Sequence, residues 1–118
     1  MTVYGFAHLR VRRPHPEIIE YIERVQETLD PFDGRFVIHG PPVEVVEGDW
    51  SGSMVLIEFP DLETARAWYA SPAYREIIHL RTDHIDGDLV LVEGVGPDYH
   101  PRERAAKLRA AATAEHRA

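Results

Sequence analysis

Four strand patterns and two helical regions in the order βαββαβ predict an α+β protein. The expected fold is a ferredoxin-like sandwich with one four-stranded antiparallel sheet and both helices on one of its faces. Three observations carry that prediction. The strand segments alternate with period two while the helical segments repeat at about 3.6 residues. The length, 118 residues, suits one such domain. The stretch Trp68-Tyr69-Ala70-Ser71-Pro72-Ala73-Tyr74 marks a helix–helix corner. Pro72 has no N–H and disfavours helical geometry at Ser71, so one helix stops there; Ser71 then caps a second helix with Pro72 at its first position. A fixed corner carrying three aromatics needs a surface to rest on, and the sheet supplies it.

The elements follow in order. Val3 to Val11 alternates, with Val3, Gly5, Ala7, Leu9 and Val11 on one side and Tyr4, Phe6, His8 and Arg10 on the other. The first set is small and apolar and is expected under the helices. Pro14 and Pro16 end the strand, and Pro16 opens a helix with Ile18, Tyr21, Ile22, Val25 and Leu29 on its buried stripe. Asp33-Gly34 turns the chain into a short strand, Arg35 to His39, with Phe36 and Ile38 expected on one side and Arg35, Val37 and His39 on the other. Gly40-Pro41-Pro42 interrupts it, and Val43 to Val46 is a possible resumption. Ser53 to Phe59 is the third strand, with Val55, Ile57 and Phe59 opposing Met54, Leu56 and Glu58. Asp61 caps the second helix, whose stripe is Leu62, Ala65, Trp68 and Tyr69. After the corner, Tyr74, Ile77, Ile78 and Arg81 continue a short helix, Asp86-Gly87-Asp88 reads as a turn, and Leu89 to Val95 is the fourth strand. Its Leu89, Leu91 and Glu93 are expected opposite the helices.

Composition narrows the partners. The formal charge is −7, with five basic and two acidic residues between Arg102 and Arg117 against eight basic and eighteen acidic in residues 1–101. An acidic body argues against nucleic acid and anionic membranes. No apolar run approaches the roughly 18 residues of a membrane span, and Thr2 to Val11 reads as a strand rather than a leader, which gives a cytoplasmic expectation. The absence of cysteine excludes disulfides, thiolate nucleophiles and cysteine-type zinc sites. Residues 1–97 are expected to form the domain. Residues 98–118 form a basic, alanine-rich tail that is helix-prone over Ala105 to Ala114, but with Leu108 as its only large apolar residue it should fray or depend on a partner.

Several motifs then coincide: Asp33-Gly34-Arg35-Phe36, Glu47-Gly48-Asp49-Trp50, Ile57-Glu58-Phe59-Pro60, the Trp68–Tyr74 string, Arg81 and Val92-Glu93-Gly94. Over about residues 3–95 the chain resembles the bacterial family known as domain of unknown function 1330, a branch of the dimeric α/β-barrel superfamily. The resemblance implies two ferredoxin-like protomers pressing their open sheet faces together. It also implies relatives that include cofactor-free oxygenases, haem-handling enzymes, lactone isomerases, polyketide cyclases and ligand sensors. The chain departs from the family pattern at Asp33, where a second glycine is usual, at Pro41-Pro42, which replace a glycine pair, and at His84, where a small residue is commoner.

On the predicted open face, His8 and His39 are the candidates for proton transfer, Glu58 for orienting an imidazole, and Arg10 and Arg35 for binding a carboxylate or stabilising an enolate. Tyr4, Phe6, Trp50, Leu56, Trp68 and Tyr74 are the candidate substrate contacts, though the spacing of Trp68 and Tyr74 matches the buried stripe and favours a core role for them. The functional expectation is a small-molecule-binding homodimer, with a cofactor-independent isomerase, cyclase or oxygenase activity on an aromatic or keto-enolic metabolite held between the sheets. The alternatives are a non-catalytic ligand-binding or stress-related dimer, in which the same residues make interface hydrogen bonds and ion pairs, and a haem-handling protein using His8, His39 or His79. His79, Asp83 and His84 form a metal-ligand grouping, but their spacing reads as a solvated helix end, so no metal is expected. No serine stands at diagnostic spacing from a histidine and an acid, and no Gly-rich phosphate loop is present.

Overall fold

The computed structural model describes residues 1–117. In chain order it contains β1 (Val3–Val11), α1 (Pro16–Leu29), β2 (Arg35–His39), β3 (Ser53–Phe59), α2 (Leu62–Ala70), α3 (Pro72–Ile77), α4 (His79–Thr82), β4 (Ile85–Glu93) and α5 (Pro101–Arg117). The strands form one antiparallel sheet in the order β2-β3-β1-β4, the ferredoxin-like topology. Among the described residues no helix is long and apolar enough to cross a membrane.

Caps set the helix boundaries. Asp61 accepts a hydrogen bond from the Thr64 amide at 2.7 Å to open α2. At the corner, Ser71 Oγ donates to the Trp68 carbonyl at 2.7 Å, closing α2, and accepts from the Tyr74 amide, opening α3 behind Pro72. Between α1 and β2, Asp33 takes a left-handed φ of 54°. A Cβ at the next residue, Gly34, would come within 2.6 Å of Leu29 and 2.9 Å of Phe59, so only glycine lets the chain pass.

The core lies between the helices and one face of the sheet. Trp68, Tyr74, Phe59, Leu29, Ile77, Val3 and Val25 are its most buried side chains, each contributing roughly 1.5–3 kcal/mol by leaving water. Val3, Gly5 and Ala7 lie under the helices, opposite Phe59, Ile57 and Val55 in register, as the alternation predicts.

Three expectations are corrected. β4 begins at Ile85, not Leu89: Asp86, Gly87 and Asp88 pair with Arg10, Leu9 and His8 along a nine-residue strand, so pairing with β1 overrides the local turn signal. In that register Leu91 stands opposite Gly5, Leu89 opposite Ala7 and Glu93 opposite Val3, which puts all three on the helix side and turns Val90 and Val92 to the open face. Val43 to Val46 forms no strand; Pro41 and Pro42 withhold the amides that a ladder needs. The tail is a continuous helix, α5, exposed along its described side chains, because its alanine and arginine content favours helix without burial.

Candidate functional site

The two sheet faces divide the candidate residues. On the open face Tyr4, Phe6, His8 and Arg10 of β1 stand beside Met54, Leu56 and Glu58 of β3. Its polar groups are largely paired with one another. His8 Nδ1 lies 3.3 Å from an Arg10 Nη1 and its Nε2 reaches the Ser51 carbonyl, so a neutral imidazole with its hydrogen on Nε2 satisfies both contacts. Arg35 pairs with Glu58, and Trp50 lies beside His8 with ring centroids 4.4 Å apart. Between these groups run Phe6, Leu56, Val90 and Val92, the two valines 50% and 49% exposed.

His39 does not join them. β2 carries a bulge between Phe36 and Ile38: Phe36 pairs with Ile57, whereas Ile38 pairs with Leu56. The extra residue, Val37, reverses the alternation. Ile38 therefore turns to the open face and His39 to the helix side, where its ring stacks on Phe36 at 4.2 Å. The expected grouping of His8, His39 and Arg35 across one face is overturned. Trp68 and Tyr74 also lie on the helix side, so they do not meet Tyr4, Phe6, Trp50 and Leu56 in one site.

What the helix side contains is a cavity of about 430 Å³ between α1, the α2–α3 corner and the sheet. Its inner wall is buried Trp68, Tyr74, Ile57 and Arg81; its outer lining includes the exposed Val11, Ile22 and His39. Trp68 and Tyr74 meet at 4.1 Å between ring centroids. The indole N–H is spent on Thr28 Oγ1 at 3.0 Å, so Trp68 offers the cavity only its ring.

Polarity in this cavity concentrates on three side chains. The Tyr21 and Tyr74 hydroxyls are 2.9 Å apart, and Arg81 Nη2 donates to the Tyr74 oxygen at 3.3 Å. The Arg81 guanidinium also lies 5.7 Å from the Tyr21 ring centroid. Arg81 is only 9% exposed and, among the described residues, is in no ion pair with a carboxylate. Burial, with Tyr74 adding to it, pushes the Tyr21 phenol far above its ordinary 10.0, so it keeps its proton. Burial works against the Arg81 cation, but the tyrosine oxygens of Tyr74 and Tyr21 more than offset it, and the net shift is upward. The sequence places Tyr21 on a buried helical stripe and Arg81 in the short helix after the corner and among the family motifs, and singles out neither as a site residue. The signal for both was a hydroxyl and a cation at helical positions that continue an apolar stripe, with Ile18 and Val25 beside Tyr21 and Ile77 and Ile78 beside Arg81.

His84 belongs to a different cluster from the one its neighbours in sequence suggest. It donates from Nε2 to Glu17 Oε1 at 2.7 Å, and its ring stacks on His15 at 3.8 Å with 12° between the planes. His15 in turn caps α1, its Nδ1 accepting from the Glu17 amide at 3.1 Å. The bond from His84 chiefly holds the Glu17 carboxyl below its ordinary 4.5. Ligand atoms of the three residues lie within 4.8 Å of one another, a donor set that zinc accepts. Nearly parallel rings keep their in-plane lone pairs in separate stacked planes, and the His84–Glu17 bond clasps the start of α1 to the α4–β4 junction.

A ferredoxin-like protomer with an aromatic cavity under its helices defines a structural class, and the sequence places the chain within it more closely. The chain belongs to the family described as domain of unknown function DUF1330, whose profile matches residues 2–95. No curated protein matches it. Among solved structures, it is similar to the protein of unknown function RPA0582 from Rhodopseudomonas palustris. That match has 16% identity and a TM-score of 0.66, covering 81% of this chain and 84% of the other. A dimeric ferredoxin-like protein of unknown function from Jannaschia sp. CCS1 matches at 14% identity and TM-score 0.60, over 80% of this chain and all of that one. SnoaB, a cofactor-independent oxygenase from Streptomyces nogalater, matches at 18% identity and TM-score 0.57, over 84% and 98% of the respective chains. At these identities the likeness is one of fold.

Proposed function

We propose that this protein is a small-molecule-binding homodimer in which each protomer holds its ligand in the cavity between helices and sheet, and in which the open sheet faces form the dimer interface. The observation that carries this reading is the cavity itself. Its volume of about 430 Å³ lies in the range of small-ligand sites, and an apolar wall of Trp68, Tyr74 and Phe36 surrounds a few polar groups. A flat aromatic or keto-enolic metabolite suits that wall.

The open face, by contrast, has Arg35 paired with Glu58, Arg10 set against the His8 ring, and Val90 and Val92 half bare, which suits contact with a second copy better than chemistry. The dimeric relative from Jannaschia supports the same assembly by analogy of fold. A cofactor-independent enzyme remains within this reading, by analogy with SnoaB, and places any proton transfer on His39, the cavity's only imidazole. The test is a pair of measurements. Sedimentation equilibrium should give twice the protomer mass, and 2-naphthoate titrated into a Trp50→Phe variant should quench the remaining indole, Trp68. A monomer with no quenching at millimolar ligand removes the proposal.

A further inference from the structure

We infer that the cavity selects an organic monoanion, a carboxylate carried on a flat apolar body, and that Arg81 is the residue that reads its charge. The inference rests on the cavity being the ligand site. Three observations on the same few atoms lead to it.

The first is the unpaired charge. A guanidinium taken out of water is costly unless a counter-charge meets it. Among the described residues the arginines that have a carboxylate partner within 4 Å sit at the surface: Arg12 with Asp86, Arg24 with Glu20, Arg35 with Glu58. Arg81, the buried one, has tyrosine oxygens beside it, Tyr74 at 3.3 Å and Tyr21 next to it, and no carboxylate among the described residues. Its remaining N–H groups are not sealed off, since Arg81 lines the cavity and, among the described residues, no buried side-chain nitrogen or oxygen lacks a partner.

The second is the donor count. Arg81 donates to Tyr74, and one tyrosine hydroxyl donates to the other. Whichever tyrosine donates, one hydroxyl hydrogen is left over, and neither hydroxyl has another protein acceptor among the described residues. With Tyr21 holding its proton, the cluster offers hydrogens and no carboxylate oxygen. An acceptor-only group answers such a cluster; an ionised carboxylate is one, whereas an amide or alcohol brings donors of its own.

The third is the charge balance. One buried cation neutralises one anion, and the other walls are apolar: Ile57, Val55, Trp68 and Leu89. A phosphate dianion would keep an uncompensated charge in that setting. A carboxylate, bound by the planar guanidinium fork and the spare hydroxyl, would not.

The test compares two probes of nearly equal shape, 2-naphthoate and 2-naphthamide, by isothermal titration calorimetry on the full chain and on Arg81→Met and Arg81→Lys. The expected result is a preference of at least about tenfold for the acid in the unmodified protein, the scale of a charge-assisted hydrogen bond. Arg81→Met should lose that preference while binding the amide as before, which also shows that the variant is folded. Arg81→Lys, which keeps the charge without the fork, should retain part of it. Equal affinity for acid and amide in the unmodified protein overturns the monoanion inference and leaves the cavity reading standing. An acid preference that survives Arg81→Met also overturns it, by assigning the selectivity to another cation such as Arg10 or Arg35. Binding of neither probe overturns the inference together with the cavity reading.

Discussion

Arg81→Met without ligand separates a guanidinium kept for binding from one kept for folding. Arg81 gives the fold one side-chain hydrogen bond, to a Tyr74 oxygen that retains Tyr21 at 2.9 Å after the substitution. Losing a hydrogen bond to a charged group costs about 1.5–3 kcal/mol. Against that, the change removes an ion that is 9% exposed and lacks a carboxylate partner, and the relief of burying such an ion is several kcal/mol. Met fills most of the same volume, so cavity formation adds little. The balance falls between a loss of about 1 and a gain of about 2 kcal/mol. Urea unfolding at one fixed protein concentration measures it, provided the slope m is unchanged. Tyr74→Phe is the counter-experiment. It strips Arg81 of the Tyr74 acceptor while the charge stays buried, and should cost about 1–3 kcal/mol, much of which should disappear in the Arg81→Met background. A loss above about 3 kcal/mol for Arg81→Met, or additive effects in the double variant, would show that the guanidinium is a structural brace and sink the argument from an unpaired charge.

Leu56→Asp, in the middle of the open face, should convert the dimer to monomer in size-exclusion chromatography with light scattering; an unchanged dimer would move the interface elsewhere. His8→Ala should leave naphthoate affinity unaltered, since both of its ring nitrogens are engaged on the other side of the sheet; a large loss would return the site to the open face. Truncation after Pro97 should change the unfolding free energy by less than about 0.5 kcal/mol, because the described side chains of α5 are exposed; a larger loss would mean that α5 packs on the body or on the partner. Asp61→Ala should lower the urea midpoint at neutral pH. The Thr64 amide depresses the Asp61 pKa below its ordinary 3.8, so its contribution is complete above that value and fades as the pH falls through the lower folded-state value. The gap between the two proteins should therefore close in acid, and a constant gap would assign the effect to something other than the carboxylate's charge.

The fold was legible because local signals agreed with the tertiary arrangement. Proline and serine fix the Trp68–Tyr74 corner on their own, and the alternation in β1 and β3 is regular enough to place each face. The grouping of the candidate residues was not, and the first reason is one residue. A strict period of two puts His39 with Arg35; the bulge at Val37 breaks that period, and nothing in Arg35-Phe36-Val37-Ile38-His39 announces it, since no glycine marks the extra residue. A similar slip occurred in β4, where Asp86-Gly87-Asp88 has the composition of a turn and the geometry of a strand. A Cβ at Gly87 would strike the β1 backbone, so the glycine there serves close pairing instead of a reversal. Both slips exchange the two faces of the sheet, and the location of chemistry depends on which face is which.

Once the faces are assigned correctly, the small residues of β1 acquire a second meaning. Gly5 and Ala7 make a shallow floor under the helices, while Trp68 and Tyr74 are held above it by the Ser71–Pro72 corner. Leucine in place of Ala7 would close against the aromatics; alanine there leaves space and lines the cavity directly, whereas the room above Gly5 is taken by Phe59, Leu91 and Ile57. The apolar bulk missing from that side of β1 is present on the other, as Tyr4 and Phe6, where a second copy has a surface to cover. On the proposed reading, one nine-residue strand separates two tasks by the parity of its residues: Ala7, Leu9 and Val11 line the cavity, and Tyr4 and Phe6 face the proposed partner. On this arrangement the open face owes nothing to the chemistry of the ligand, and the cavity is complete within one protomer.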